Sequence, residues 1–435
     1  MIVCGLGLCW ACAQSAVKPL EPAGKATPAS MKAWTSAINR PRELGTYYEA
    51  TVPDTLDLAA RARLSLKHFT STISPEHGYE LGALALEPQW RVPRMQVIFG
   101  AFACECKVFE ALAMLRLMTG SQEDLDLEAK FVEMLTSYLG EDGLHWIPGG
   151  DPNKPYLRAM FPPVPFVQVH GLARMLRAMN IWYQYTGDPA WKERVDRMVN
   201  GMDRLMMVHK GDYAYVPLYG WYEKNEYMRS CYTKKGWKDT AEPLNEKAGE
   251  EGSLFNHQGH YPGALANWYR LTGNKQALRL SGELVRFYTK PQFWGDLPAA
   301  EYPGVNGAEH AHWTGHVQGH INTLRAILEY AIATNDQRLM TFVRDGYEWG
   351  RNRGFARIGY MVDQQGCTPP RYIALAIKLS DAGVGDYWED VDQFVRNHQS
   401  IMQFSREDAD FFWKNAANRP PPPPDGPTDT GYCTT

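Results

Sequence analysis

The residues with the most chemistry to offer lie between 306 and 323, in the stretch NGAEHAHWTGHVQGHINT. There His310, His312, His316 and His320 make up a third of the chain's 12 histidines. The stretch runs straight into an apolar segment (Leu324, Ile327, Leu328), which places it at the start of a helix. His312, His316 and His320 are spaced i, i+4, i+8 and share one face if that helix begins before them. The phrase also recurs. Gln318-Gly319-His320 has counterparts in Gln258-Gly259-His260 and Gln365-Gly366-Cys367, with a looser copy in Gln168-Val169-His170. Each sets a polar, potentially ligating side chain at a helix start.

The elements that position them repeat as well. Each phrase is followed by an apolar helix, a short turn and a second helix, and the turns match: Thr119-Gly120, Thr186-Gly187-Asp188, Thr272-Gly273-Asn274, Thr334-Asn335-Asp336 and Gly385-Asp386. Self-similarity of this kind defines a repeat architecture. Six helical pairs are expected, near 54–74, 97–140, 166–208, 257–290, 314–350 and 367–403, the first showing one convincing helix at 56–70. Six hairpins either stack as an open solenoid or close into a toroid. Solenoid repeats are near-constant in length, whereas long aromatic, Pro- and Gly-rich segments separate these pairs at 141–165, 209–256 and 291–313. The expected fold is all-α, a closed (α/α)6 barrel with loops gathered at one mouth. Residues 81–93 read as a loop, and 210–252, where tyrosines alternate with charges, as a small β-hairpin over the barrel.

With 435 residues, 44% hydrophobic and 22% charged, the chain is long enough for one large core. A net charge of −4 gives no basic footprint for nucleic acid, and no segment approaches the roughly 20 apolar residues of a membrane span. Fourteen Trp and 23 Tyr, many in the loops, suit stacking on the apolar faces of sugar rings, and serve equally to pin loops to the barrel. Trp146 and Trp313 are candidates for the first role. Residues 1–13, ending Ala11-Cys12-Ala13, resemble a secretory leader, so a secreted or periplasmic protein is expected. Residues 14–53 read as an extended lead-in, 54–404 as the barrel and 405–435 as a Pro-rich linker, expected to lead into a further C-terminal part. Cys104, Cys106, Cys231, Cys367 and Cys433 are an odd number at irregular spacing, which is no disulfide framework.

A cleft ringed by His170, His260, His320 and Cys367 offers two chemistries. Imidazole and thiolate are good zinc ligands, although outside the leader-like residues 1–13 no HExxH or CxxC is present. Alternatively, two carboxylates flank a glycosidic bond as acid and base; Glu309, Glu348 and Asp363 are the acidic candidates beside the mouth. His170, His260, His312, His320, Trp313 and Trp146 are then the candidates for binding an oligo- or polysaccharide.

The stretch from Tyr360 to His398, YMVDQQGCTPPRYIALAIKLSDAGVGDYWEDVDQFVRNH, resembles glycoside hydrolase family 127 and its β-L-arabinofuranosidase-like relatives. In that family a Glu-Thr-Cys triplet opens an inner helix of an (α/α)6 barrel and shares a zinc ion with two consecutive cysteines further on. The resemblance implies a zinc-ligand role for Cys367. Gln365 stands where the ligand glutamate would be, the paired cysteines are absent, and Glu348 lies near the spacing of the acid/base. The implied function is an exported glycoside hydrolase of plant-type glycans. The alternatives are a polysaccharide lyase or sugar epimerase using His and Tyr on the same barrel, or a glycan-binding barrel without chemistry.

Overall fold

The computed structural model describes residues 56–87, 94–99, 102–150, 163–220, 231–246, 254–295, 311–313, 315–361 and 366–403. Helices dominate: α1 (Leu58–Thr72), α2 (Phe102–Thr119), α3 (Leu125–Ser137), α4 (Val169–Thr186), α5 (Pro189–Gly201), α6 (Leu254–Gln258), α7 (Tyr261–Thr272), α8 (Lys275–Tyr288), α9 (Val317–Thr334), α10 (Gln337–Arg351), α11 (Thr368–Asp381) and α12 (Trp388–Phe394). Helices α2, α4, α7, α9 and α11 pack side by side as an inner wall, and α5, α8, α10 and α12 each return along the outside of the helix before them. The first repeat shows one helix, α1, lying against α2. Gln403 closes the ring, its side-chain amide donating to the Arg61 carbonyl at 3.0 Å and to Ser65 Oγ at 2.9 Å. The fold is an all-α (α/α)6 toroid.

The repeated turns explain the hairpins. Thr186, Thr272 and Thr334 each hand their hydroxyl back to the carbonyl four residues earlier, at 2.7, 2.7 and 2.9 Å. The next residue, Gly187, Gly273 or Asn335, takes the left-handed conformation that ends a helix. Asp188, Asn274 and Asp336 then cap the following helix, their side-chain oxygens accepting backbone N–H groups. Three residues stop one helix, reverse the chain and start the next.

The apolar faces of both layers meet between the rings, where Trp268, Tyr288, Phe287, Leu265 and Leu324 are fully buried. Gly259 is required by closeness: a Cβ there would sit 2.2 Å from Thr323 Oγ1 and 2.5 Å from the Phe255 carbonyl. The glycine of the Gln-Gly-His phrase is thus a packing device between α6 and α9.

Three expectations need correction. Residues Glu80–Glu87 and Arg94–Phe99 pair as antiparallel strands, so the segment from 81 is not a loop and α2 begins only at Phe102. The apolar alternation in LGALALE outweighs the prolines at 88 and 93. Helix α9 starts at Val317 with His316 as its cap, so His312 lies outside the helix and shares no face with His320. The expected β-hairpin is present as Val208–Lys210 against Tyr213–Tyr215. Two further strand pairs join it, Tyr219–Gly220 with Trp237–Asp239 and Phe166–Gln168 with Cys231–Thr233.

Candidate active site

The inner helices present their starts to one mouth, and the repeated phrase delivers its side chains there. His170 opens α4, His257 lies in α6 and His260 caps α7. The rings of His170 and His257 stand 5.6 Å apart. Tyr261 holds this corner together by donating its hydroxyl to the Val169 carbonyl at 2.7 Å. All three imidazoles are buried, His260 being 5% exposed.

Cations surround them. Arg174 Nε donates to His170 Nε2 at 2.8 Å, which assigns that nitrogen as acceptor and leaves the proton on Nδ1. Arg177 NH1 lies 3.5 Å from His260 Nδ1 and is ion-paired with Glu110 at 2.5 Å. Burial, reinforced by the fields of Arg174, Arg177, Arg371 and Arg325, holds the His260 imidazole well below its usual range and therefore neutral. The same forces lower Arg174 to about 9, and burial with the Arg174 charge lowers Lys107. Among the described residues neither Lys107 nor Arg174 has a carboxylate within ion-pairing distance. A neutral His260 with His170 and His257 close by, beside such cations, makes a site suited to moving a proton and meeting negative charge as it develops.

The other candidates from the sequence sit elsewhere. His320 is 1% exposed, lies 4.7 Å from the Trp313 ring in a stack tilted by 8°, and meets Phe255 and Trp294 edge-on. Its Nδ1 donates to the His316 carbonyl at 3.0 Å, and burial lowers its pKa to about 4. Trp313 is fully buried and donates Nε1 to the Gly346 carbonyl at 3.2 Å. These two residues have no face left for a sugar; they are parts of the barrel wall. His312 stacks on Trp349 at 4.2 Å outside the axis. Trp146 donates Nε1 to Asp142 and lies under the Lys234 ammonium at 3.5 Å, so it pins its loop.

Glu348 belongs to the outer helix α10, where Tyr387 donates to it at 2.7 Å and Arg351 at 3.3 Å. That network ties α10 to the last repeat and accounts for the carboxylate without catalysis. Glu309, Asp363 and Gln365 lie outside the described residues.

Cys367 caps α11 at the mouth, and the fields of both Cys367 and Cys104 reach the Lys107 ammonium. Among the described residues no three His, Cys, Asp or Glu side chains come close enough together to hold a metal ion. Lys107, Arg174 and Arg371 also oppose a dication near Cys367. The donors among the described residues do not fit zinc.

Arg174, Arg177, Lys107, Arg325, Arg371 and His257 were not signalled as site residues by the sequence motifs. A signal existed: His170, Arg174 and Arg177 are spaced i, i+4, i+7, as are Lys107, Glu110 and Met114 at i, i+3, i+7, which puts each set on one helix face.

Comparison with known proteins bears on the fold. A cellobiose 2-epimerase from Bacillus thermoamylovorans B4167 superposes with a TM-score of 0.54 at 13% identity, over 80% of this chain and 89% of the other. A sugar epimerase from a ruminal bacterium gives 0.50 at 13% identity, covering 81% and 89%. A family 76 glycoside hydrolase from a bovine Bacteroides thetaiotaomicron strain gives 0.50 at 11% identity, covering 78% and 67%. No protein-family model and no curated protein matches the sequence. The chain thus has the six-hairpin barrel of these enzymes, and the likeness to family 127 holds at the level of that barrel alone.

Proposed function

We propose that this protein is a carbohydrate-active enzyme that moves a proton on the reducing-end sugar of a small saccharide, as an epimerase or isomerase. The observation that carries this reading is the cluster of buried imidazoles, His170, His257 and His260, with His260 held neutral by the guanidinium groups at the mouth of the barrel. In the proposed step a neutral imidazole takes the proton from the carbon beside the open-chain aldehyde. The electron pair moves to the carbonyl oxygen, giving an enediolate. Arg174 and its cationic neighbours stabilise that oxyanion, and the negative charge in turn raises the proton affinity of the histidine. A second imidazole, protonated from solvent once the enediolate's charge has raised its proton affinity, gives that proton to the opposite face of the carbon and ends neutral, while the first imidazolium returns its proton to solvent.

The test is proton NMR in D2O with reducing mono- and disaccharides. Deuterium entering at the carbon beside the aldehyde, with a second epimer appearing, is the expected result. His260→Asn should slow it by about 10²- to 10⁴-fold, the usual contribution of a general base. The second reading, a glycoside hydrolase, rests on the family 76 likeness and on Glu309 and Asp363 as its carboxylates. Release of monosaccharide from a glycoside with no deuterium at that carbon would select it and sink the epimerase.

A further inference from the structure

Behind the histidines the barrel is not filled. A cavity of about 330 Å³ runs along the axis from His260 and Asn322 to the final turns of the inner helices, where it is lined by Arg177, Arg270, Arg325, Glu329 and Lys378. Its charge does not balance. Four cationic side chains face it, whereas two carboxylates answer them: Glu110 binds Arg177, and Glu329 takes both Arg270 and Lys378. Arg325 has no ion-pair or hydrogen-bond partner among the described residues. Among the described residues the wall therefore carries two positive charges in excess, with Arg174 and Lys107 adding to the field from above.

Two further side chains point to a ligand. Asn322 is 3% exposed and its Nδ2 has no hydrogen-bond partner among the described residues; His260 is 5% exposed and its Nε2 has none. Both line the cavity. Buried polar groups are almost always satisfied, so two orphans beside an unpaired guanidinium mark a place where acceptor oxygens belong. We propose that this cavity is an oxyanion site that binds a phosphate group, with Arg325, Arg177, Asn322 and His260 as its ligands. An excess of two charges matches a phosphate dianion better than a carboxylate, and guanidinium forks suit its oxygens. The carbonyl ends of the inner helices repel an anion at the outer rim, which places it deep, against Arg325 and Asn322.

The phosphate could be free or the phosphoryl group of a sugar, and calorimetry on the full chain separates the two sources. Inorganic phosphate, glucose 6-phosphate and glucose are titrated in chloride buffer of matched ionic strength. The phosphates should bind and glucose should not. A sugar phosphate at least about ten-fold tighter than inorganic phosphate assigns the group to a sugar ligand; equal affinities assign a resident ion. Arg325→Gln should weaken both by at least about ten-fold, while raising or preserving the melting temperature in chloride because it removes an uncompensated charge. Asn322→Ala serves as a second variant if Arg325→Gln does not fold. Failure of both phosphates to bind, or undiminished binding in the variants, overturns the proposal. Binding is read without turnover, so the result stands apart from the proton-transfer chemistry proposed above.

Discussion

His260 and His320 end the same three-residue phrase, Gln-Gly-His, at the starts of neighbouring inner helices, yet they live in opposite surroundings. His260 faces the axis, with arginines around it. His320 faces the wall, enclosed by Trp313, Phe255 and Trp294. One turn of register decides the outcome. His260 precedes its helix as the cap, whereas His320 lies one full turn inside its helix, four residues after the cap His316, where Trp313, Phe255 and Trp294 close over it. A motif repeated in sequence is not repeated in role when the helix start shifts beneath it.

The contrast can be broken by substitution. The largest effect is expected at the wall: Trp313→Ala should cost about 3–5 kcal/mol of stability, because it opens a cavity under His320 and removes the bond to Gly346. His260→Asn should leave the denaturant midpoint close to that of the native chain while activity falls. Equal losses of stability in both variants, measured by urea unfolding, would end the distinction.

Acid sharpens it next. His145 and His320 have folded pKa values of about 4 against 6.5 when unfolded, so the unfolded chain binds more protons between those values. Their contribution is intact above pH 6.5 and is lost as pH falls toward 4, about 2 kcal/mol for each at pH 5. Glu105, raised by burial to about 7, has the opposite sign: its contribution is present below pH 4.5 and lost as pH rises through 7, offsetting roughly one imidazole. Thermal unfolding of His145→Gln should therefore show a flatter fall between pH 6.5 and 4. An unchanged slope would mean that His145 does not titrate as its burial demands.

The smallest effect belongs to the outside of the wall. Trp349→Leu removes the stack on His312 and the bond from its Nε1 to the Trp313 carbonyl, at 2.8 Å. A loss of about 1 kcal/mol is expected, typical of one aromatic pair. A loss as large as that of Trp313→Ala would show that the wall extends further outward than its burial indicates.

The hairpins were legible because their signals are local. Thr186-Gly187-Asp188 and its two relatives contain the whole instruction for a reversal within three residues. The site was legible only in part. His170, His260 and His320 lie at helix starts as expected, but sorting axis from wall needed the partners of His320, which come from residues 255, 294 and 313. Arg174, Arg177 and Arg325 escaped notice because a charged residue within an apolar helix ordinarily marks its solvent face. A toroid has a second polar face, along its axis, and nothing in one helix alone distinguishes the two.

The bonds of Gln403 to Arg61 and Ser65 join residues 342 and 338 positions apart. Every hairpin forms from neighbours in sequence, whereas this junction has to wait for the whole circle to be assembled, so it forms late in folding. It also rests on a helix that buries little, with Ala62, Leu66 and Thr70 as the buried positions of α1. The ring resembles a belt with one buckle: thermal motion opens it there first, and amide exchange should be fastest in α1 and around Gln403, long before the strap itself gives way.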